Sequence, residues 1–392
     1  MFLFLAVAPL AHAAPDDPAA FQRFIEASER AGSTAVYVEQ DGHALVDWHR
    51  GPERPALLMS ATKSIAALTV GLLVDAGRIA SWDEPLTDWY PEVAGTPLAT
   101  VTVRQLLSQT SGLDPCADLR TCPGSGDDAL AFALHSKMTT APGTWDYNNN
   151  AVNLLSGIVQ RVTGASMSSF ADSALFRPLG ITDPSWDHDA NGVNFASAGL
   201  SMTAHDLAKI GELMLAHGRW KDTQILSAAT IDTLTRPQAE WPWYGMLWWT
   251  VTSPRAGVSQ ALFDYWRERG TSPETLLALQ PLVGRSWTDG NKLYEAERDA
   301  LGGGQLGFDR YRAFAARTWP YDAEGGGGFA AEGQYGQYLV VLPAAHVVAV
   351  RQRYIGLVYQ EHTNADGDDD DKRDLDQWPE QLAAHFSASN QE

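Results

Sequence analysis

Several shortages in the sequence exclude whole classes of protein. Only 28 of the 392 residues are Lys or Arg, against 48 Asp or Glu, so the formal net charge is −20. This charge repels phosphate backbones and anionic lipid, so neither a nucleic-acid partner nor a membrane-surface partner is expected. Beyond the N-terminus, no window approaches the ~18 apolar residues that a transmembrane helix needs. The sequence therefore predicts an ordinary folded chain without a membrane anchor.

Motifs of other common enzyme designs are also missing. The sequence contains no Gly-x-Ser-x-Gly elbow, no His-Glu-x-x-His helix and no Gly-x-x-x-x-Gly-Lys loop. Its ten histidines are scattered, and His205, at a predicted helix start, is assigned a structural role. The acidic run 366–374 is typical of a solvated loop rather than a calcium site. We therefore predict no metal site and no cofactor.

Cysteine is nearly absent. The two cysteines, Cys116 and Cys122, lie in the polar stretch CADLRTC, a spacing that suits a small disulfide in an oxidising compartment. A zinc site is the weaker alternative, because two cysteines without a neighbouring histidine cannot complete a zinc shell. Residues 1–14, MFLFLAVAPLAHAA, predict a signal peptide, although a basic n-region is missing and the true start could lie upstream. A periplasmic or secreted protein is the expectation.

The order of predicted elements indicates an α+β fold. Strand-like runs flank Asp41-Gly42, a strong hairpin signal, and strands return in the apolar runs GMLWWTV, GQYLVVLP and HVVAVRQRY. These runs predict an antiparallel sheet built from both chain ends, in an α/β domain of residues 15–100 and 237–392. Residues 101–236 predict an inserted helical domain. Residues 253–328 are too long for a plain loop and are either a lid or a surface elaboration.

The stretch LLMSATKSIAALTVGLLVDAG sets Lys63 three residues after Ser60, at the front of an apolar helix. Both side chains would share one face of the first turn, where the helix dipole and burial favour a neutral lysine. Such a lysine is suited to exchanging protons with a neighbour. The alternative is a serine N-cap followed by an exposed lysine. The chain has six lysines, and Lys63 alone has a serine three positions earlier.

Five motifs follow one another along the chain: SATK at 60–63, LLSQTSG at 106–112, YNN at 147–149, SMTAHDL at 201–207 and FAAEGQYGQ at 329–337. In this order they resemble the penicillin-recognising serine hydrolases, which include class C β-lactamases, serine D-alanyl-D-alanine peptidases and related esterases. The last motif looks most like the branch containing 6-aminohexanoate-dimer hydrolase. The resemblance implies a β-lactamase/transpeptidase-like fold and leaves the insertion unmatched.

The resemblance also implies roles for individual residues. Ser60 would be the acylated nucleophile, and Lys63 and Tyr147 would form the proton relay that activates it and then protonates the leaving group. Which of the two holds the proton at rest is left open. Asn149 matches the position that orients the lysine and the substrate amide. The expected reaction is cleavage of an amide or ester bond of a small-molecule substrate through an acyl-enzyme.

The oxyanion hole implied by the resemblance would use the backbone N–H groups of Ser60 and Gln334, the latter from a strand beginning at Gly333. Where the family has Lys-Thr-Gly or His-Thr-Gly, this sequence has Ala331-Glu332-Gly333. The cation and hydroxyl that help to hold a β-lactam carboxylate are thus missing, which argues against β-lactamase activity. Alternatives are a carboxylesterase, a D-aminopeptidase or DD-peptidase-like enzyme, or a catalytically silent binding module.

Overall fold

The computed structural model describes residue 15 and residues 17–115, 128–238, 243–251, 256–258, 260–268, 270–287, 290–304, 306–307, 310–311, 314, 328–354 and 378–386. Its helices are α1 (Pro18–Arg30), α2 (Thr62–Asp75), α3 (Val103–Leu107), α4 (Ala129–Leu134), α5 (Asn149–Thr163), α6 (Met167–Ala171), α7 (Ala204–Leu215), α8 (Ala228–Thr235), α9 (Gln260–Glu268), α10 (Pro273–Leu279), α11 (Gly290–Ala300) and α12 (Trp378–Ala384). Its strands are β1 (Ala35–Gln40), β2 (His43–His49), β3 (Ala56–Leu57), β4 (Ser185–Trp186), β5 (Leu200–Met202), β6 (Arg219–Trp220), β7 (Thr223–Gln224), β8 (Trp249–Val251), β9 (Ala256–Gly257), β10 (Ser286–Trp287), β11 (Gly328–Gly333), β12 (Gln337–Leu342) and β13 (Val347–Gln352).

The main sheet joins the two ends of the chain. Its strand order is β2-β1-β13-β12-β11-β8, and every neighbouring pair is antiparallel. The predicted α+β architecture with a sheet from both chain ends is therefore confirmed. The hairpin is also confirmed, because Asp41 and Gly42 between β1 and β2 both adopt the positive φ that a tight two-residue turn requires.

Helices cover both faces of this sheet. One face packs on α1 and α12 through a cluster that includes Phe24, Val340 and Trp378. The other face joins a larger core shared with α2, α5 and α7. Every residue of β12 and β13 is buried, which explains why these strands read as continuous apolar runs rather than alternating ones. The site described below lies at the edge of this larger core.

Two details differ from the sequence expectations. The run GMLWWTV was expected to be a strand throughout, yet β8 begins only at Trp249, because the chain turns at Gly245–Trp248, where the Gly245 N–H donates to the Trp248 carbonyl. Helix α7 lies within the segment predicted as a helical domain, yet it packs on the sheet. A Cβ on Gly211 would come within 2.4 Å of Val348, so only glycine permits this approach.

The part of the insertion that the structure describes has a core of its own. A separate cluster of buried residues is formed by Val258, Phe263, Trp266, Leu279, Leu282, Leu293, Leu301, Tyr311 and Phe314. Whether the segment acts as a lid stays a prediction. Residues 1–14 and both cysteines lie outside the described residues, so the leader and the disulfide stay predictions too. Among the described helices, none combines the length and the apolar character needed to cross a membrane.

Candidate active site

Ser60 lies in a strained turn at the start of α2. Residues Met59–Ala61 form a single 3-10 turn, and Met59 has a φ of 49°, a left-handed conformation that a non-glycine residue adopts at some energetic cost. The turn is fixed at its base, because the Leu58 N–H donates to the carbonyl of Leu200 at 2.8 Å. The Leu200 N–H in turn donates to Thr62 Oγ1 at 3.2 Å. Ser60 is thus held half-buried at the N-terminus of a buried helix.

Lys63 is buried beside the serine, as its place on the helix predicts. Its side chain is 2% exposed, and Nζ lies 3.0 Å from Ser60 Oγ and 2.7 Å from the carbonyl oxygen of Ser197. Burial lowers the pKa of Lys63 to about 7, because a desolvated ammonium is costly. Near neutral pH a substantial fraction of Lys63 is therefore an uncharged amine whose lone pair can accept the serine proton.

The Ser197 carbonyl has no counterpart in the sequence motifs. It is oriented by Asn153 on α5, whose Oδ1 accepts the Ser197 N–H at 3.1 Å. Asn153 is 7% exposed, so this hydrogen bond is shielded from water. A backbone carbonyl can come from any residue type, and therefore no sequence pattern indicates it.

Tyr147 completes the group from the start of α5. The next residue, Asn148, caps that helix by accepting the Ala151 N–H, and its own backbone N–H donates to Gln109 Oε1 at 2.8 Å. These bonds fix the backbone that carries Tyr147. The phenol is hydrogen-bonded to Ser60, and Lys63 Nζ lies 4.9 Å from the centre of the tyrosine ring. The structure therefore brings the three predicted relay residues together.

The directions of the pKa shifts favour a protonated phenol and a neutral amine, a choice that the sequence left open. Burial raises the pKa of Tyr147 to about 12, opposed by its hydrogen bond with Ser60 and reinforced by the Glu332 carboxylate. The phenol therefore keeps its proton at neutral pH, whereas the pKa of Lys63 is lowered to about 7. Lysine is the group positioned to accept a proton, and tyrosine the group positioned to donate one.

The end of β11 forms the opposite wall of the site. A Cβ placed on Gly333 would lie 2.1 Å from the Leu58 carbonyl oxygen and 3.2 Å from the Ala61 nitrogen, so glycine allows the strand to touch the serine turn. The expectation that a strand begins at Gly333 is wrong, because β11 ends there. Gln334 is the first, exposed residue of the turn that follows. Its role as an oxyanion donor stays a prediction.

That turn is supported from behind by a buried cation. Arg351 on β13 is fully buried and donates hydrogen bonds to Ser33 Oγ, to the Gly336 carbonyl and to the Ala31 carbonyl. Burial lowers the pKa of Arg351 to about 9, with a further lowering from the charge of Arg353. The Gly336 bond joins the turn between β11 and β12 to the sheet, and so anchors the turn beside the serine.

Asn149 is the first residue of α5, and its side chain is half-buried. Among the described residues, the oxygens that Lys63 Nζ contacts belong to Ser60 and Ser197. The lysine is therefore oriented by the Ser197 carbonyl in this structure. The expected contact of Asn149 with a substrate amide stays a prediction.

Aromatic side chains that the sequence motifs do not indicate form a wall that includes Tyr147. The aromatic wall consists of Trp145, Tyr147, Trp243, Tyr244 and Trp249. Tyr147 stacks on Trp249 with ring centres 6.2 Å apart, and Tyr244 meets Trp249 edge-on at 4.7 Å. Trp145 contacts the other four rings at 5.8–6.5 Å. The wall is a partly exposed apolar surface next to the nucleophile.

Glu332 is a charged residue whose field reaches the aromatic wall. Strand alternation directs it to the face opposite Gly333, yet its carboxylate raises the pKa values of both Tyr147 and Tyr244. In Tyr244 burial is the largest cause of the raised pKa, and Glu332 adds to it. A negative charge therefore acts on the aromatic wall at the position where the family motif has a neutral hydroxyl.

A sheet flanked by helices, with a serine, a lysine and a tyrosine grouped at its edge, defines the class of β-lactamase-type folds. The family model for Beta-lactamase matches residues 20–377. The chain therefore belongs to the beta-lactamase family. A class C beta-lactamase structure from Rhodobacter sphaeroides superposes with a TM-score of 0.58 at 16% identity, covering 93% of this chain and 98% of that one. The predicted fold is confirmed.

Two relatives are named as hydrolases of an amide or an ester. The 6-aminohexanoate-dimer hydrolase of Paenarthrobacter ureafaciens is 28% identical over 227 residues, which cover 53% of this chain and 58% of that protein. Esterase EstB of Burkholderia gladioli is 32% identical over 148 residues, which cover 32% of this chain and 37% of that protein. The matched regions cover less than two thirds of either relative's length.

Proposed function

We propose that this protein is a serine hydrolase that cleaves an amide or ester bond of a small substrate through an acyl-enzyme at Ser60. The observation that carries the proposal is the contact of 3.0 Å between Ser60 Oγ and Nζ of a lysine whose pKa is lowered to about 7 by burial. The names of the two relatives, an amide hydrolase and an esterase, support this class of reaction.

The proposed reaction follows from the protonation states. Neutral Lys63 accepts the hydroxyl proton as Ser60 Oγ attacks the substrate carbonyl, and backbone N–H groups of Ser60 and Gln334 stabilise the oxyanion. Tyr147 then donates its phenol proton to the leaving nitrogen or oxygen, and the lysine ammonium returns a proton to the phenolate. In the second half, water attacks the acyl carbonyl and Lys63 accepts a proton from it. Lys63 then returns this proton to Ser60 Oγ as the product leaves as a carboxylic acid.

A covalent probe tests the nucleophile. A fluorophosphonate should label the wild-type protein at Ser60, and Ser60→Ala should abolish the labelling. The control Ser185→Ala removes an exposed serine hydroxyl and should label like wild type. A wild-type protein that stays unlabelled would instead support a binding module on the same fold.

The finer proposal concerns substrate charge. Glu332 places a negative charge near the aromatic wall, and the chain carries a net charge of −20, so substrates with a free amine or no charge should be preferred over carboxylates. A panel of matched amides and esters that differ only in this charge measures the preference. The same panel separates amidase from carboxylesterase and D-aminopeptidase activity.

Glu332→Gln should remove most of the amine preference, because it deletes the charge and keeps the shape. Glu26→Gln is the matched control, since Glu26 is exposed on α1 and its loss changes the net charge equally. If both variants lowered the preference alike, the general field of the protein would be responsible rather than Glu332. Preference for the carboxylate substrates would contradict the proposal.

We also propose that the protein is exported, with residues 1–14 removed and Cys116 joined to Cys122. Intact mass and N-terminal sequencing of protein recovered from the periplasm or medium test both points. Two free thiols in the mature protein would contradict the disulfide, and an intact leader would contradict its removal. Absence of the protein from both the periplasm and the medium would contradict export.

A further inference from the structure

A second group of side chains gathers at the edge of the sheet, on the surface. Asp47 and His49 are two residues apart on β2 and therefore face the same side. The carboxylate of Asp47 lies between two imidazoles: Oδ1 is 2.9 Å from His49 Nε2, and Oδ2 is 3.3 Å from His205 Nε2. His205 reaches this place from the first turn of α7.

The imidazole of His205 is oriented from its other nitrogen. Glu53 Oε1 lies 2.9 Å from His205 Nδ1 and also accepts the backbone N–H of His205 at 3.1 Å. The ring stacks on His49 at 5.3 Å and contacts Tyr37 at 5.0 Å. The Glu53 carboxylate and the rings of His49 and Tyr37 therefore orient His205 so that its Nε2 faces Asp47.

This arrangement has the chemistry of a zinc site. The ligand atoms of Asp47, His49 and His205 all lie within 4.8 Å of one another. Tetrahedral zinc, with ligand distances of about 2.0–2.2 Å, holds its ligands about 3.3 Å apart, so small side-chain rotations suffice. A histidine that binds a metal through one ring nitrogen commonly donates a hydrogen bond from the other nitrogen to a carboxylate, as His205 can to Glu53. The side-chain exposures, 48% for Asp47, 16% for His49 and 40% for His205, leave room for a water as the fourth ligand.

We propose that Asp47, His49 and His205 bind a zinc ion, with Glu53 as the residue that positions His205. The nitrogen-rich set favours zinc over calcium or magnesium, which prefer oxygen ligands. The ion would connect the edge strand β2 to the start of α7. Through the bond between His205 and Glu53, it would also connect β2 to the segment that precedes β3. β3 pairs with β5 and leads into the turn of Ser60. The proposed role is structural, and it is independent of the proposed reaction.

Calorimetric titration of the full, tag-free protein with zinc chloride at pH 7.5 tests the site. We expect one zinc per chain with a dissociation constant at or below about 10 µM, and a rise in the unfolding midpoint of about 3 °C or more at saturation. His49→Ala and His205→Ala should each weaken binding by at least about 100-fold, and Glu53→Gln by about 10- to 100-fold. Calcium should produce neither heat nor a shift.

His43→Ala is the matched control, because His43 is exposed on the same strand and outside the cluster. It should bind zinc like wild type. Absence of 1:1 binding in wild type, retention of it in His205→Ala, or an equal response to calcium would each overturn the proposal. The cluster would then be a set of surface ion pairs only.

Discussion

Two regions lie at opposite ends of one short strand pair: the active-site group of Ser60, Lys63 and Tyr147, and the surface cluster of Asp47, His49 and His205. β3 and β5 pair antiparallel, with Leu57 opposite Ser201 and Ala56 opposite Met202. Beyond one end, Ser60 and Ser197 both contact Lys63. Beyond the other, Glu53 contacts His205. Two chain segments therefore contribute to both regions, and the regions differ mainly in how much water reaches them.

Water determines how each region controls its protons. Lys63 is 2% exposed and contacts neutral oxygens, so burial alone lowers its pKa. For His205, burial lowers the pKa while the Glu53 and Asp47 carboxylates raise it, and the net direction is upward. Desolvation of Lys63 favours a neutral base suited to catalysis, whereas the carboxylates beside His205 favour its protonated form, and a zinc ion would have to displace that proton. The comparison can be tested from both sides.

The largest effect should come from removing the buried pair. Ser60→Ala and Lys63→Ala should each lower kcat/KM by about 10⁴-fold or more, and the double variant should lose little beyond either single one, because the residues act as a unit. Steady-state kinetics on an activated ester measures the losses, with His205→Ala as the surface counterpart that should keep its activity. A Lys63→Ala variant with a tenth of wild-type activity would show that the lysine is not the base.

Tyr147→Phe should cost about 10²- to 10⁴-fold on an amide and clearly less on an ester with a good leaving group. An amide nitrogen must be protonated to leave, whereas the oxygen of an activated ester can leave without being protonated. The ratio of the two losses is the measurement. Equal losses on both substrates would indicate that Tyr147 acts mainly by packing against Trp249 and the rest of the aromatic wall.

The pH profile should reveal the lowered pKa of Lys63. Activity requires the neutral amine, so kcat/KM should fall about tenfold per pH unit below about 7 and level off above it. The pKa of Tyr147, raised to about 12, predicts no decline from loss of its proton below that value. A profile that rises only above pH 9 would show that burial does not lower the lysine pKa.

The lowered pKa of Lys63 should also make the free energy of unfolding depend on pH. Between pH 7 and 10.5 the unfolded chain keeps a proton on Lys63 that the folded chain has released, so the free energy of unfolding rises with pH. At about 1.4 kcal/mol per unit, Lys63 should contribute about 2 kcal/mol between pH 7 and 9. Any stability advantage of Lys63→Met over wild type should therefore shrink by that amount, measured by urea unfolding. Lys221→Met, at an exposed site, is the control for the loss of a lysine as such.

The smallest effect should come from the surface cluster without metal. In the presence of a chelator, His205→Ala should change the free energy of unfolding by about 1 kcal/mol or less, because exposed ion pairs contribute little. Urea unfolding measures this as well. A loss of several kcal/mol would mean that the cluster stabilises the β3–β5 segment without any ion, and that the two regions are less different than their exposure indicates.

Much of this protein could be predicted because its signals are local. The apolar run after Ser60 predicts a buried helix, the spacing of three residues places Lys63 on the serine's face, and Asp41-Gly42 predicts the hairpin. The Ser-x-x-Lys and Tyr-x-Asn motifs combine residues within one turn of each other. Their order along the chain was enough to indicate the fold and the relay residues.

Other features depend on groups that only folding brings together. The carbonyl of Ser197, the ring of Trp249 and the pairing of Glu53 with His205 join segments more than a hundred residues apart, and none has a distinctive residue pattern. Strand alternation alone did not indicate that the Glu332 carboxylate would raise the pKa values of Tyr147 and Tyr244, because both tyrosines come from other segments of the chain. The sequence by itself determined which residues carry the chemistry. Tertiary structure decided their protonation, because burial and distance, which set a pKa, exist only in the folded chain.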